Sequence, residues 1–189
     1  RLLKALRHET PTHEAVAERL GVDAAGGEPR AQVFKTLHAA HTGKLSLARV
    51  LSGEIADSNT LNGDRISGVF RLLGGKQEKQ NTAAAGALVG LGRMESVTTG
   101  DMLSPAGDAT ASDWPEPLAP LYSLAIHAEQ RSDEVKLTGA LAKLVEEDTS
   151  LSFGPDADTG ELLISGLGDV HLQITIDRLR NRNNLAVVS

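Results

Sequence analysis

The stretch "LLISGLGDVHLQITIDRL", Leu162 to Leu179, sets the topology of the C-terminal half. An apolar run, two glycines and a segment with helical spacing predict a strand, a tight turn and a helix from about Asp169 to Asn181. Phosphate-binding loops are built from this arrangement, so the glycines need testing. A dinucleotide fingerprint requires G-x-G-x-x-G, and after Gly166 and Gly168 the third position is His171. A G-x-x-x-x-G-K-[ST] loop fails at Gly75-Lys76, where Phe70 replaces the first glycine and Gln77 the hydroxyl residue. Gly90-Leu91-Gly92 fails in turn, because Glu95 holds its last glycine position. The turn therefore reads as a close-packed strand-to-helix connection, with Asp169 near the free amides of the helix start.

Ahead of this stretch, "LYSLAIHAE" reads as a strand and "SDEVKLTGALAKLVEED" as a helix with Leu137, Leu141, Leu144 and Val145 on one face. Ser132 is placed as its N-cap, with Asp133 and Glu134 in the first turn. A strand at "LSF", a turn at "GPDADTG", the strand "ELLIS", the helix and a last strand at "LAVV" complete the order β-α-β-β-α-β. That order is the split βαβ, ferredoxin-like plan, a four-stranded sheet with both helices on one face.

Upstream, the texture changes to short alternating runs bounded by turns: "AQVFKTLHA", "GKLSLARVLSG", "NTLNGDRISGVFRLLG", "TAAAGALVGLG" and "SVTTGDML". Strands at this spacing predict a small closed antiparallel barrel, which removes exposed sheet edges. The fold class is thus mainly β plus α+β. The expected domains are residues 29–110 for the barrel and 111–189 for the split βαβ unit, divided at "GDATASDWPEP". Residues 1–28 read as two short helices and a linker, with Leu2, Leu3 and Leu6 on one face, Thr12 as an N-cap and a stop at Gly21. Opening without methionine on so short an amphipathic piece, they are expected to be the tail of an upstream domain or an ordinary N-terminal helical cap.

Composition narrows the function. Zero cysteines remove disulfides and thiolate metal sites. No apolar run approaches the roughly 20 residues that span a bilayer, and no signal-peptide pattern opens the chain, so the expectation is a soluble, cytoplasmic protein without membrane partners. The net charge of -6 is uneven. Residues 29–110 carry nine Lys and Arg against seven Asp and Glu, or +2, while residues 111–189 carry six against thirteen, or -7. Only the barrel has an electrostatic case for touching a phosphate backbone, through Lys44, Arg49, Arg71, Lys76 and Lys79, and scattered solubilising charge reads equally well. Six histidines form no H-x-x-x-H or H-E-x-x-H pair, and His38 with His41 lacks acidic or sulfur neighbours. Ser165 lacks a G-x-S-x-G setting, since Leu163 stands at the first glycine position. Tyr122 and Phe153 are alone on their strands, unlike the stacking aromatics of an RNA-recognition motif.

Two pairs of motifs carry a resemblance. "GKLSLARVLSG", "AGALVGL" and "GDML" resemble the second domain of elongation factor G and related translational GTPases; "ALAKLVEEDTSL" and "ISGLGDVHLQITIDRL" resemble the third, in the same order. The resemblance implies a translation-factor β-barrel followed by a ferredoxin-like domain, with residues 1–28 as the end of a GTPase domain. It also implies a parent that binds GTP and magnesium and hydrolyses GTP on the ribosome, with no cofactor in this fragment and no activity in it alone. The implied partners are the parent's GTPase domain and small-subunit ribosomal RNA. Glu146, Glu147 and Asp148 oppose the dipole of the helix they end, and read alone they are a solvated acidic turn. By resemblance, Asp148, His171 and Arg178 line the junction with the GTPase domain, beside the fusidic acid pocket. Leu167-Gly168-Asp169-Val170-His171-Leu172-Gln173, where relatives commonly carry Met-Gly-Glu-Leu-His-Leu-Glu, points to a divergent paralogue. Ribosome-protection and ribosome-recycling relatives share the architecture, and a non-enzymatic scaffold derived from the family is the rival expectation.

Overall fold

The computed structural model describes residues 1–39, 42–107 and 114–188. His41 and most of the expected boundary segment, residues 108–113, lie outside them. The chain divides into two compact units, Arg1–Trp114 and Pro115–Ser189.

The first unit opens with α1 (Leu2–Glu9) and α2 (His13–Arg19). Thr12 caps α2 as its sequence predicts, its hydroxyl accepting the Ala15 N–H at 3.4 Å, and Gly21 stops the segment at φ 68°. Ala17 and Val22 pack on Leu51 and Met102 and so bind α2 to the barrel wall. In α1 no residue is buried, and Leu2, Leu3 and Leu6 stay exposed.

The barrel strands are β1 (Arg30–Ala39), β2 (Gly43–Ser52), β3 (Glu54–Ala56), β4 (Thr60–Leu61), β5 (Asp64–Arg65), β6 (Val69–Leu73), β7 (Lys76–Gln80), β8 (Thr82–Ala84), β9 (Leu88–Gly92) and β10 (Met102–Leu103). Six form one antiparallel sheet in the order β10-β1-β2-β9-β6-β7, with β10 and β7 as its two end strands and no ladder joining them among the described residues, while β3 pairs β8 and β4 pairs β5. Two register shifts between β1 and β2, at Arg30/Ala31 and Val33/Lys35, mark the irregularities that let long strands bend around a small core. That core is built from Val33, Val50, Ile55, Leu61, Ile66, Leu91, Met94 and Leu103 with smaller neighbours.

Asn62 ties the β10 side of the sheet to the β4–β5 hairpin. Its N–H donates to the Ser104 carbonyl, its amide nitrogen to the Met102 carbonyl, and its amide oxygen accepts the Ser104 N–H, all at 2.9 Å. A side chain here imitates a peptide group, from a backbone at φ 50° that asparagine tolerates. At Gly100 an added Cβ would lie 2.9 Å from Trp114 Cγ, so the only tryptophan is seated on a glycine.

The second unit contains β11 (Tyr122–Ala125), β12 (His127–Ala128), α3 (Glu134–Glu147), β13 (Ser152–Pro155), β14 (Leu162–Gly166), α4 (Asp169–Asn183) and β15 (Val187–Val188). β11 and β12 are two halves of one strand broken at Ile126. The first half pairs β14, which pairs β13, and the second half pairs β15. Counted as four strands, the order is fourth-first-third-second, the split βαβ plan. Leu137, Ala140, Leu141 and Leu144 of α3 and Leu172, Ile176 and Leu179 of α4 share its core with Ile126, Leu151 and Ile164.

Two local details differ from the sequence reading. Ser132 does not cap α3: a 3-10 turn over Arg131–Asp133 precedes the helix, and Asp133 occupies the cap position without a side-chain bond to the helix amides. Its carboxylate instead takes Lys136 Nζ at 2.7 Å. The second helix runs to Asn183, where Asn184 at φ 51° ends it in the left-handed conformation.

Candidate functional site

The site of interest forms where α3 ends and α4 begins. The stripe Leu137, Leu141, Leu144 continues on to Glu147, which is buried with a side chain only 8% exposed. A carboxylate at that depth needs a cationic partner. Arg182 supplies one from the far end of α4, with Nη1 3.0 Å from Glu147 Oε2. The next residue, Asp148, folds back on its own turn: its Oδ1 accepts the Ser150 N–H at 3.1 Å and the Ser150 hydroxyl at 2.6 Å. Its Oδ2 lies 3.2 Å from His171 Nε2. The acidic end of α3 is therefore held by α4 and by its own turn rather than left to solvent.

His171 is fixed from both sides. Leu167 N–H donates to Nδ1 at 3.2 Å, which places the ring proton on Nε2, where it donates to Asp148. Partial burial disfavours the Asp148 charge, but the Ser150 hydroxyl, the Ser150 amide and His171 outweigh it and hold the carboxyl below its usual value. Gly166 explains how the imidazole comes so near the turn. A Cβ there would stand 2.8 Å from Leu172 Cδ2 and 2.9 Å from His171 Nδ1, so only glycine leaves room for the ring.

A serine, a histidine and an aspartate so close invite comparison with a hydrolytic triad, and the geometry excludes it. In a triad the imidazole takes the proton of the hydroxyl. Here the Ser150 hydroxyl donates to the carboxylate, and both ring nitrogens of His171 are already engaged. What the arrangement does chemically is brace two helix ends against each other.

Of the three junction residues expected from sequence, the structure brings together Asp148 and His171. Arg178 is exposed, its side chain forms no hydrogen bond or ion pair among the described residues, and it shares the outer face of α4 with Val170 and Ile174, which are 68% and 48% exposed. The sequence reading missed Arg182, although it lies eleven residues beyond His171, three helical turns along nearly the same line.

The barrel cations fall into three kinds. Lys44 is 4% exposed, and its ammonium donates to the Glu95 carbonyl at 2.9 Å, so it is built into the barrel wall. Arg49 is half-buried. Arg71, Lys76 and Lys79 are exposed on the β6–β7 hairpin, with Lys79 Nζ 2.8 Å from Asp57 Oδ2. Among the described residues no group of three His, Cys, Asp or Glu could hold a metal ion, and no helix is long and apolar enough to cross a membrane.

Residues 117–189 match the family described as Elongation Factor G, domain III. Over all 189 residues the chain is 43% identical to an elongation factor G-like protein of Synechocystis sp. PCC 6803, covering 28% of that protein. It is 35% identical over 183 residues to elongation factor G of Fervidobacterium nodosum, covering 88% of this chain and 26% of that one. A crystal structure from Thermus thermophilus superposes on 99% of the chain with a TM-score of 0.78 at 27% identity, again over 28% of the longer molecule. The chain thus spans just over a quarter of the relatives it matches. It belongs to the elongation factor G-like translation factors, as their second and third domains.

Proposed function

We propose that the chain works within a longer translational GTPase that acts on the ribosome, and that its two units relay the nucleotide state of a GTPase domain to ribosome contacts. The observation that carries this reading is the 43% identity to the Synechocystis elongation factor G-like protein along the entire chain. GTP and magnesium belong to the GTPase domain, and this part is not expected to hydrolyse GTP alone. The braced pair of Asp148 and His171 supports a mechanical role, since its hydrogen-bonding groups are spent on holding structure. Those two residues and Arg178 face the GTPase domain, at the junction associated in this family with fusidic acid. Arg49, Arg71, Lys76 and Lys79 meet small-subunit ribosomal RNA, and the site of action is the cytoplasm.

The test is the GTPase rate of the full-length gene product with and without ribosomes. A rise on adding ribosomes is expected; a flat response overturns the ribosomal role and leaves a scaffold that has lost the family's activity.

A further inference from the structure

A cleft of about 530 Å³ opens on the barrel between the loop after β3 and the segment leaving β9. Arg65 and Arg93 line it with Ser58 and Ser67. Both arginines are exposed, and neither side chain forms an ion pair or hydrogen bond among the described residues. Two carboxylates share the cleft, Asp57 and Glu95. Asp57 is already held by Lys79 at 2.8 Å, which leaves two guanidinium groups against one carboxylate. Like charges lining one cleft repel unless an anion lies between them.

The backbone here is strained, and the surroundings hold the strain in place. Ser58 has φ 87° and Arg93 φ 60°, two of the four non-glycine residues with positive φ among those described. Such conformations persist only where the structure over-determines them, and they gather at binding sites. The restraints are visible. Asp57 N–H donates to the Asn81 carbonyl at 2.9 Å, Ser58 N–H to the Ile66 carbonyl at 3.2 Å, and Arg93 N–H to the Lys44 carbonyl at 3.1 Å. The buried Lys44 ammonium, on the Glu95 carbonyl, fixes the segment just beyond Arg93.

We propose that this cleft binds a phosphoryl oxyanion, gripped by Arg65 and Arg93 with the Ser58 and Ser67 hydroxyls as further donors. A guanidinium offers paired N–H donors that match two oxygens of one phosphate, and hydroxyls serve the others. The site does not include Arg49, Arg71 or Lys76, meets Lys79 only through the Asp57 carboxylate, and does not depend on the ribosomal role. A free phosphate and an RNA phosphodiester present the same oxygens.

The experiment is a two-dimensional amide NMR titration of the full 189-residue chain with sodium phosphate, and in parallel with a uridine hexanucleotide, each against sodium chloride at equal ionic strength. Saturable shifts confined to Ser58, Ser67, Arg93 and their neighbours are expected. Arg65→Gln and Arg93→Asn should each weaken binding about tenfold, asparagine being chosen because it tolerates the left-handed backbone. The same spectra report whether each variant is folded. Tighter binding of the hexanucleotide at these residues identifies a phosphodiester; binding of phosphate alone identifies a free phosphate group, and both support the site. Shifts reproduced by chloride, or unchanged in both folded variants, overturn it.

Discussion

The two units differ in which charges they leave available. In the split βαβ unit, acidic residues that look free in the sequence are spent internally: Glu147 on Arg182, Asp148 on Ser150 and His171. In the barrel, Arg65, Arg71, Lys76 and Arg93 stand exposed, with no ion pair among the described residues. Net charge ranked residues 111–189 and 29–110 as -7 and +2, yet it did not say which charges were available. Availability is decided by where the helical or strand period puts a residue relative to its core.

Gly166→Ala should break this contrast most strongly, because the new Cβ would press on Leu172, His171 and Leu151 at 2.8–3.1 Å. Overpacking of this kind costs about 1–3 kcal/mol. Hydrogen exchange should show the loss in α3 and α4 with barrel amides unchanged; intact protection in α4 would mean that the turn yields. Arg182→Ala comes next. It strips a buried carboxylate of its guanidinium, and urea denaturation should register about 1–2 kcal/mol.

Asp148→Asn tests the pH dependence. With its carboxyl held below the usual value, folded Asp148 binds fewer protons than the unfolded chain does in acid. Its contribution is complete above the unfolded value of about 3.9 and is lost as pH falls through the folded value. The variant should therefore lose less stability than the wild type as pH falls below about 4. The group is about a third exposed, so the difference will be modest. A variant with the wild-type acid profile would show that the pair with His171 is not held in solution. Smallest of all, Arg71→Gln and Lys76→Gln should change thermal stability by less than about 0.5 kcal/mol, as exposed charges outside internal pairs do.

Much of this was legible, and the misses have physical causes. The stripe of α3 was plain from its apolar spacing, and extending it by one more step, from Leu144 to Glu147, would have placed the buried carboxylate. β7 was missed because "KQEKQ" has no apolar alternation; it is an edge strand whose partner is set by the Gly74-Gly75 turn, with Leu73 opposite Lys76. Lys44 alternates with Leu45 and shares its strand face with Ser46, Ala48 and Val50, so its burial follows from period two, which a search for cations overlooked. The ring nitrogens of His171 were beyond the sequence, since their partners are a backbone amide four residues earlier and a carboxylate 23 residues away.

The seat of Trp114 on Gly100 gives the molecule an optical label. The only tryptophan belongs to the barrel unit and the only tyrosine, Tyr122, to the other. Red-edge excitation will light the barrel unit alone, so melting of that unit can be followed by emission colour while circular dichroism, fed mostly by the longer helices α3 and α4, follows its neighbour, in an unlabelled chain.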